Sequence, residues 1–168
     1  MGWGFVMSSI YAGSHRNVYS SRWNGILIEE KNLDEMYGNL KNGDFCKIAT
    51  YVSPRKRNGK EKGNRKVFID NWDDRVTWYN RKAERFGFEI GINDIYEDGG
   101  IPFINEKAIH SIYFKHEDAD KNTFYKAIET EMLIKITDIE KFKELLYTGM
   151  TGGGKAYGVG ITLAKKIS

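Results

Sequence analysis

Two stretches of the chain hold most of its chemical potential. The segment PRKRNGKEKGNRK (54–66) sets Arg55, Lys56, Arg57, Lys60, Lys62, Arg65 and Lys66 against one acid, Glu61, for a net +6 over 13 residues. Cations packed this densely are the footprint of a local polyanion contact. A solvated loop would carry the same charge. Gly59, Gly63 and the strand-like flanks favour an extended basic hairpin, whose cations can meet phosphates along a nucleic-acid groove. The second stretch is GMTGGGKAYGVGITLAKK (149–166). Gly152, Gly153 and Gly154 let backbone N–H groups approach phosphate oxygens, and Lys155 adds a cation. The spacing is not that of a Walker loop, because Ala156 follows the lysine. Taken alone, the stretch is equally a plain turn between a helix and a strand.

The three histidines are His15, His110 and His116. An imidazole titrates close to neutrality and suits proton transfer. Tyr11 precedes His15 by four residues, so on a helix the two side chains would share a face. His110 and His116, with Glu117, Asp118 and Asp120, would form a metal set only if a strand and an acidic loop converged. The pattern reads more simply as strand and loop, and no metal or cofactor is expected. Aromatic residues make up 14% of the chain. Most belong in a core, while Trp3, Trp23, Tyr51 and Tyr113 are candidates for stacking on bases.

The elements that must position these groups come from a chain of 168 residues, 40% hydrophobic and 29% charged. That is enough to bury a core without disulfides, and the single cysteine, Cys46, excludes an internal disulfide framework or a multi-cysteine zinc site. The net charge is +3, so the 155 residues outside the basic segment sum to −3. No apolar run is long enough for a membrane-spanning helix. The opening MGWGFVMSSIYAG lacks a basic n-region and reads as mature protein, which makes the cytoplasm the expected compartment and leaves no membrane partner.

Strands are expected at Gly25–Glu30 and Phe45–Val52, with a short helix or turn at Asp34–Leu40 between them. Trp72, Val76, Tyr79, Ala83 and Phe86 recur at steps of four and three and predict a helix over 71–86, capped by Asp70 and ended by Gly87. Arg81, Lys82 and Arg85 suit its negative end. Strands follow at Phe88–Ile95, Ile109–His116 and Thr130–Ile136. A second helix spans Asp138–Tyr147, with Thr137 and Glu140 as a capping box, and a last strand is Tyr157–Ala164. From Val67 the order is strand, helix, strand, strand, helix, strand, the split βαβ plan. The fold class expected is α+β: two tandem ferredoxin-like (RRM-like) βαββαβ domains. The first is shortened (1–66, strand, short helix, strand, strand), the second spans 67–168, and the basic hairpin lies near their joint.

The C-terminal pattern G-x-x-x-G-G-K-A-Y-G-x-G, between a capped helix and a closing strand, resembles the ending of the CRISPR-associated RAMP endoribonucleases, and among them the CasE-type subunit of type I-E systems. Trp78, Arg81, Lys82 and GFEI (87–90) are similar to that family's W-x-x-R-K-x-x-x-x-G-F segment. ATYVSPRKRNGKEKGNRKVFI (49–69) is similar to its strand and basic hairpin, with Ser53–Pro54 where an N-P pair is usual. YAGSHRNVYS (11–20) resembles its Y-x-x-x-H-R motif. Tyr11 comes early for the family, and the segment after Tyr19 is short.

The resemblance implies metal-independent cleavage of precursor CRISPR RNA beside a repeat stem-loop, with attack by a 2′-hydroxyl that leaves a 2′,3′-cyclic phosphate and a 5′-hydroxyl. Such chemistry needs a base, an acid and a cation at the phosphorane. His15 is then the proton-transfer group, Tyr11 orients the phosphate or assists, and Lys155 neutralises charge. Arg16, the basic residues of 54–66 and Gly152, Gly153 and Gly154 bind RNA. Implied partners are precursor and mature CRISPR repeat RNA and the Cascade subunits. A second reading is a non-catalytic relative that binds the repeat or docks onto Cascade, and a third is a toxin-like ribonuclease on the same scaffold.

Overall fold

A computed structural model of the chain describes residues 7–13, 16–23, 26–57, 66–93, 101–114, 123–150 and 159–167. Three strands open it: β1 (Met7–Gly13), β2 (Arg16–Trp23) and β3 (Ile26–Asn32) form an antiparallel meander in the order β1-β2-β3. Two strands, β1 and β2, therefore precede the expected order of strand, short helix, strand and strand, which starts at β3. Helix α1 (Leu33–Tyr37) follows at once, its first turn closed by Asn32, whose side chain accepts the Asp34 N–H at 3.0 Å.

Next come β4 (Phe45–Val52), the short hairpin β5 (Arg55–Arg57) and β6 (Lys66–Phe68), and helix α2 (Trp72–Arg85). Strands β7 (Phe88–Ile90), β8 (Ile92–Asn93) and β9 (Ile101–Pro102) lead to the long pair β10 (Ile104–Phe114) and β11 (Thr123–Ile136). Helix α3 (Ile139–Thr148) and β12 (Thr162–Lys166) finish the order.

The main sheet is β10-β11-β4-β12, antiparallel throughout. In chain order its parts are β4, α2, β10, β11, α3 and β12, one complete βαββαβ unit. Its first strand is β4, from the segment expected to belong to the N-terminal domain, so the sheet crosses the expected division at 66/67. The strand at 67 expected to open the unit is β6, which among the described residues pairs with β5 and not with the main sheet. The expected strand at 88–95 is split. β7 pairs with β11 at Ile134–Ile136 while β10 begins pairing at Met132, so the two lie end to end along one edge of β11.

Alternation decides which face is buried. Along β4, Cys46, Ile48, Thr50 and Val52 point inward and Phe45, Lys47 and Tyr51 outward. Ile128, Met132, Ile134 and Ile136 of β11 join the same inner layer, and Trp78, Tyr79, Ala83 and Phe86 of α2 with Phe142, Leu145 and Leu146 of α3 cover it. Burial pushes the Cys46 thiol up, so it stays protonated.

Both helices differ from expectation in detail. Asn71, not Asp70, caps α2, its Oδ1 accepting the Asp74 N–H at 3.1 Å. Trp72 remains 37% exposed, while Arg75, absent from the expected apolar stripe, is buried. Asp138 caps α3 in place of Thr137, accepting the Lys141 N–H at 3.2 Å. Gly87 joins the two helices. Its φ of 65° and the close approach of Asp138 admit no side chain, and its carbonyl accepts the N–H groups of Thr137 and Asp138, both at 2.9 Å.

Candidate nucleic-acid interface

The basic segment does form a hairpin at its described ends. Arg55, Lys56 and Arg57 pair antiparallel with Phe68, Val67 and Lys66. The root is held firmly. The Ile69 N–H donates to the Pro54 carbonyl at 3.0 Å, the Arg55 Nε donates to Ser53 Oγ at 3.3 Å, and the Arg55 guanidinium lies 4.4 Å from the Tyr125 ring centre. On the other strand Lys126 sits 5.3 Å from the Phe68 ring and 3.1 Å from Asp70. These contacts tie the hairpin to β11, so its cations start from a fixed base.

Helix α2 runs beside the hairpin and contributes Trp78, Arg81, Lys82 and Arg85. With Arg55, Lys56, Arg57 and Lys66 they line a groove of about 610 Å³, whose walls are seven cations and one indole. Asp74 pairs with Lys56 at 2.6 Å and Glu144 stands 3.8 Å from Arg85, so two acids at the margin face seven basic groups. Lys82 lies 5.2 Å from the Trp78 ring, and Arg85 lies 5.1 Å from Phe86. Guanidinium groups spaced along two walls suit phosphates, which accept two N–H bonds from each fork. Arg81, Lys82 and Arg85 do more than complement the helix dipole. Their spacing, i, i+1 and i+4, put one cationic face on α2 and was the available signal.

A largely buried ion pair ties α2 to β10. The Arg75 Nε donates to Glu106 Oε1 and Oε2 at 2.9 and 3.0 Å, and a second nitrogen lies 2.8 Å from Oε2. Its third nitrogen donates to the carbonyls of Ile69 and Asp70, where the hairpin passes into the helix. The Tyr79 hydroxyl lies 3.0 Å from both Glu106 Oε1 and Thr130 Oγ1. Burial, with the Glu106 charge, pushes that phenol far above the ordinary tyrosine range, so it stays neutral.

The glycine-rich stretch is anchored at its described ends. Gly149, with a φ of 79°, meets the Gly160 carbonyl so closely that a Cβ would collide with it. The Met150 N–H donates to that carbonyl at 2.7 Å, and the Gly160 N–H donates to the Tyr51 carbonyl at 2.5 Å. Tyr51 is the penultimate residue of β4, four residues before Arg55. The glycine-rich stretch and the basic hairpin therefore leave the sheet at the same end.

Of the other expected site residues, Tyr11 lies on β1 opposite Val18, and Arg16 opens β2 opposite Gly13. Tyr11 thus stands on a strand and not on the helix that would set it on one face with a residue four positions on. The ladder between β1 and β2 pairs the backbone of residues 7–13 with that of residues 16–22. His15, Lys155, Gly152, Gly153, Gly154, Lys60, Lys62 and Arg65 lie outside the described residues, as do His116, Glu117, Asp118 and Asp120. Among the described residues no group of three metal-binding side chains is present. No described helix is long and apolar enough to cross a membrane.

Comparison with known proteins gives the fold a context. The family model described as CRISPR associated protein matches residues 9–165. No curated protein matches the sequence. The chain is similar to a CRISPR endoribonuclease Cse3 bound to a 19-nucleotide RNA, with 21% identity and a TM-score of 0.67 over 84% of this chain and 65% of that one. It is similar to the CRISPR-associated protein Cas6e from Escherichia coli, with 15% identity and a TM-score of 0.51 over 83% and 67%. A chain of a CRISPR RNA-guided surveillance complex, pre-nicking, gives 19% identity and 0.58 over 84% and 62%. At these identities the likeness is one of fold: α+β with antiparallel sheet. The chain spans just under two thirds of the Cse3 chain's length.

Proposed function

The chain belongs to the CRISPR associated protein family, and from that premise we propose that it is a metal-independent endoribonuclease of CRISPR repeat RNA. It binds the repeat stem-loop and cuts the precursor by attack of a 2′-hydroxyl on the adjacent phosphate, leaving a 2′,3′-cyclic phosphate and a 5′-hydroxyl. One observation carries the reading: seven cations line the groove between the basic hairpin and α2, at the sheet end where the glycine-rich stretch is anchored. An RNA helix is recognised by shape and phosphates, and a groove of this kind offers the countercharge.

In this reading His15 moves the proton of the 2′-hydroxyl, Tyr11 orients the phosphate, and Lys155 with the N–H groups of Gly152, Gly153 and Gly154 neutralises the phosphorane. Arg16, Lys60, Lys62 and Arg65 extend the phosphate contacts. The partners are the repeat RNA, before and after cutting, and the Cascade subunits. The fold likeness to a chain of an RNA-guided surveillance complex supports the latter.

The test is incubation with repeat RNA in EDTA, followed by analysis of product ends. Cutting should persist, yield cyclic phosphate, and vanish in His15→Ala while binding remains. A His15→Ala protein that cuts at the wild-type rate removes this assignment. The strand at Tyr11 favours a second reading, a repeat-binding or Cascade-docking relative without turnover, because Tyr11 is not carried on a helix. That protein would bind the stem-loop and leave it intact under every condition.

A further inference from the structure

The open face of the sheet carries an aromatic pair at the end where the groove begins. Tyr51 is 44% exposed. Its hydroxyl donates to Glu129 Oε2 at 3.3 Å, from the residue directly opposite it on β11. His110 of β10 lies beside it, with ring centres 5.7 Å apart, planes tilted by 52°, and a side chain 47% exposed. Glu129 is itself held by Lys107 at 3.5 Å, and His110 Nε2 stands 3.9 Å from it. The Tyr51 ring is therefore oriented by a chain of polar contacts while its surface stays open. A ring fixed in advance gives up little rotamer freedom when a planar partner stacks on it.

Position and charge indicate the partner. The Tyr51 carbonyl holds Gly160, where the glycine-rich stretch returns to the sheet, and Arg55 starts the basic hairpin four residues on. A strand running between those two segments passes this sheet end. The patch is not cationic, because Lys107 and Lys47 are matched by Glu129 and Glu131. Phosphates gain more in the groove, whereas a base gains from the rings.

We infer that Tyr51 and His110 form a stacking subsite for one unpaired nucleobase flanking the paired stem. The inference rests on the RNA-binding reading of the groove and extends it onto the open sheet face. The experiment uses a repeat hairpin with an unpaired flank carrying 2-aminopurine, the same hairpin made blunt, and the flank alone as a short single strand. Tyr51→Leu should weaken binding of the flanked hairpin about tenfold, in the range of a lost base–aromatic stack. It should abolish fluorescence quenching, yet leave blunt-hairpin affinity and the unfolding midpoint unchanged. Tyr51→Phe should retain the quenching, and His110→Ala should reduce it. Equal losses on both hairpins, or no loss on either, overturn the subsite, and the latter is also what a protein docked on this face would give. If the wild type binds neither hairpin, the groove reading fails by itself. The single strand then decides the subsite: quenching lost in Tyr51→Leu upholds it, and no quenching by the wild type overturns it.

Discussion

Arg75 and Arg81 stand less than two turns apart on the same helix, and their surroundings could hardly differ more. Arg75 is 8% exposed and spends its donors on Glu106 and on the carbonyls of Ile69 and Asp70. Arg81 looks across a groove at four cations of the basic hairpin. A buried guanidinium without an acid is costly, so Arg75 and Glu106 require each other. Exposed cations repel one another only mildly through water, and a polyanion relieves that repulsion. The contrast teaches that a basic residue's role is set by the acid the fold brings to it, and Glu106 comes from 31 residues away.

The strongest way to break this contrast is Glu106→Ala. It strands the Arg75 charge and removes the acceptor of Tyr79, so denaturant unfolding should show a loss of about 3 kcal/mol. The salt dependence of RNA binding should not change; a loss below about 1 kcal/mol would show Arg75 to be no more structural than its neighbours. The opposite signature is expected of the triple variant Arg81→Ala, Lys82→Ala and Arg85→Ala. Stability should move by no more than about 0.5 kcal/mol per site. The slope of log affinity for a repeat hairpin against log salt should become shallower by about 2. Asn71→Ala weakens the cap of the helix that carries both regions. A loss of about 1 kcal/mol is expected in thermal or denaturant unfolding, with the salt slope intact.

The smallest effect tests whether another acid–base pair is structural too. The Lys166 ammonium, 2.8 Å away, and the Lys41 N–H hold the Asp44 carboxyl below its usual range, against burial. The folded group is thus the stronger acid. Its contribution is present in full above the ordinary carboxylate pKa of about 4 and is lost as pH falls through the lowered folded value. Stability of Asp44→Asn should fall less steeply with acid, and the two curves should converge at low pH. Parallel curves throughout would make the pair idle.

Local pattern revealed much of this architecture. Strand β4 alternates cleanly and matches Phe45–Val52 at both ends, and α2 and α3 lie within a residue or two of their expected bounds. The basic hairpin was legible from charge and glycine spacing. The failures concern what only long-range pairing decides. Nothing near β4 in sequence announces that it is the central strand between β11 and β12. A periodicity reading counts Arg75 as surface because its carboxylate lies on β10. It lists Trp72 as core because position on the stripe does not show that this side chain stays exposed. The caps Asn71 and Asp138 each sit one residue beyond the expected position, a choice made by loop geometry among adjacent polar residues.

The order of the main sheet bears on how the chain emerges during translation. Strand β4 appears early, but its neighbours are residues 123–136 and 162–166, and the Thr50 and Thr162 hydroxyls meet at 3.1 Å across 112 residues of sequence. A nascent chain therefore holds β4 with both edges bare until β11 leaves the ribosome, and with one edge bare until β12 follows. Such non-local closure slows folding and leaves an open strand available to other chains meanwhile. Exposed Lys47 on its outer face, and the cations that follow from Arg55, place charge beside that edge for the interval.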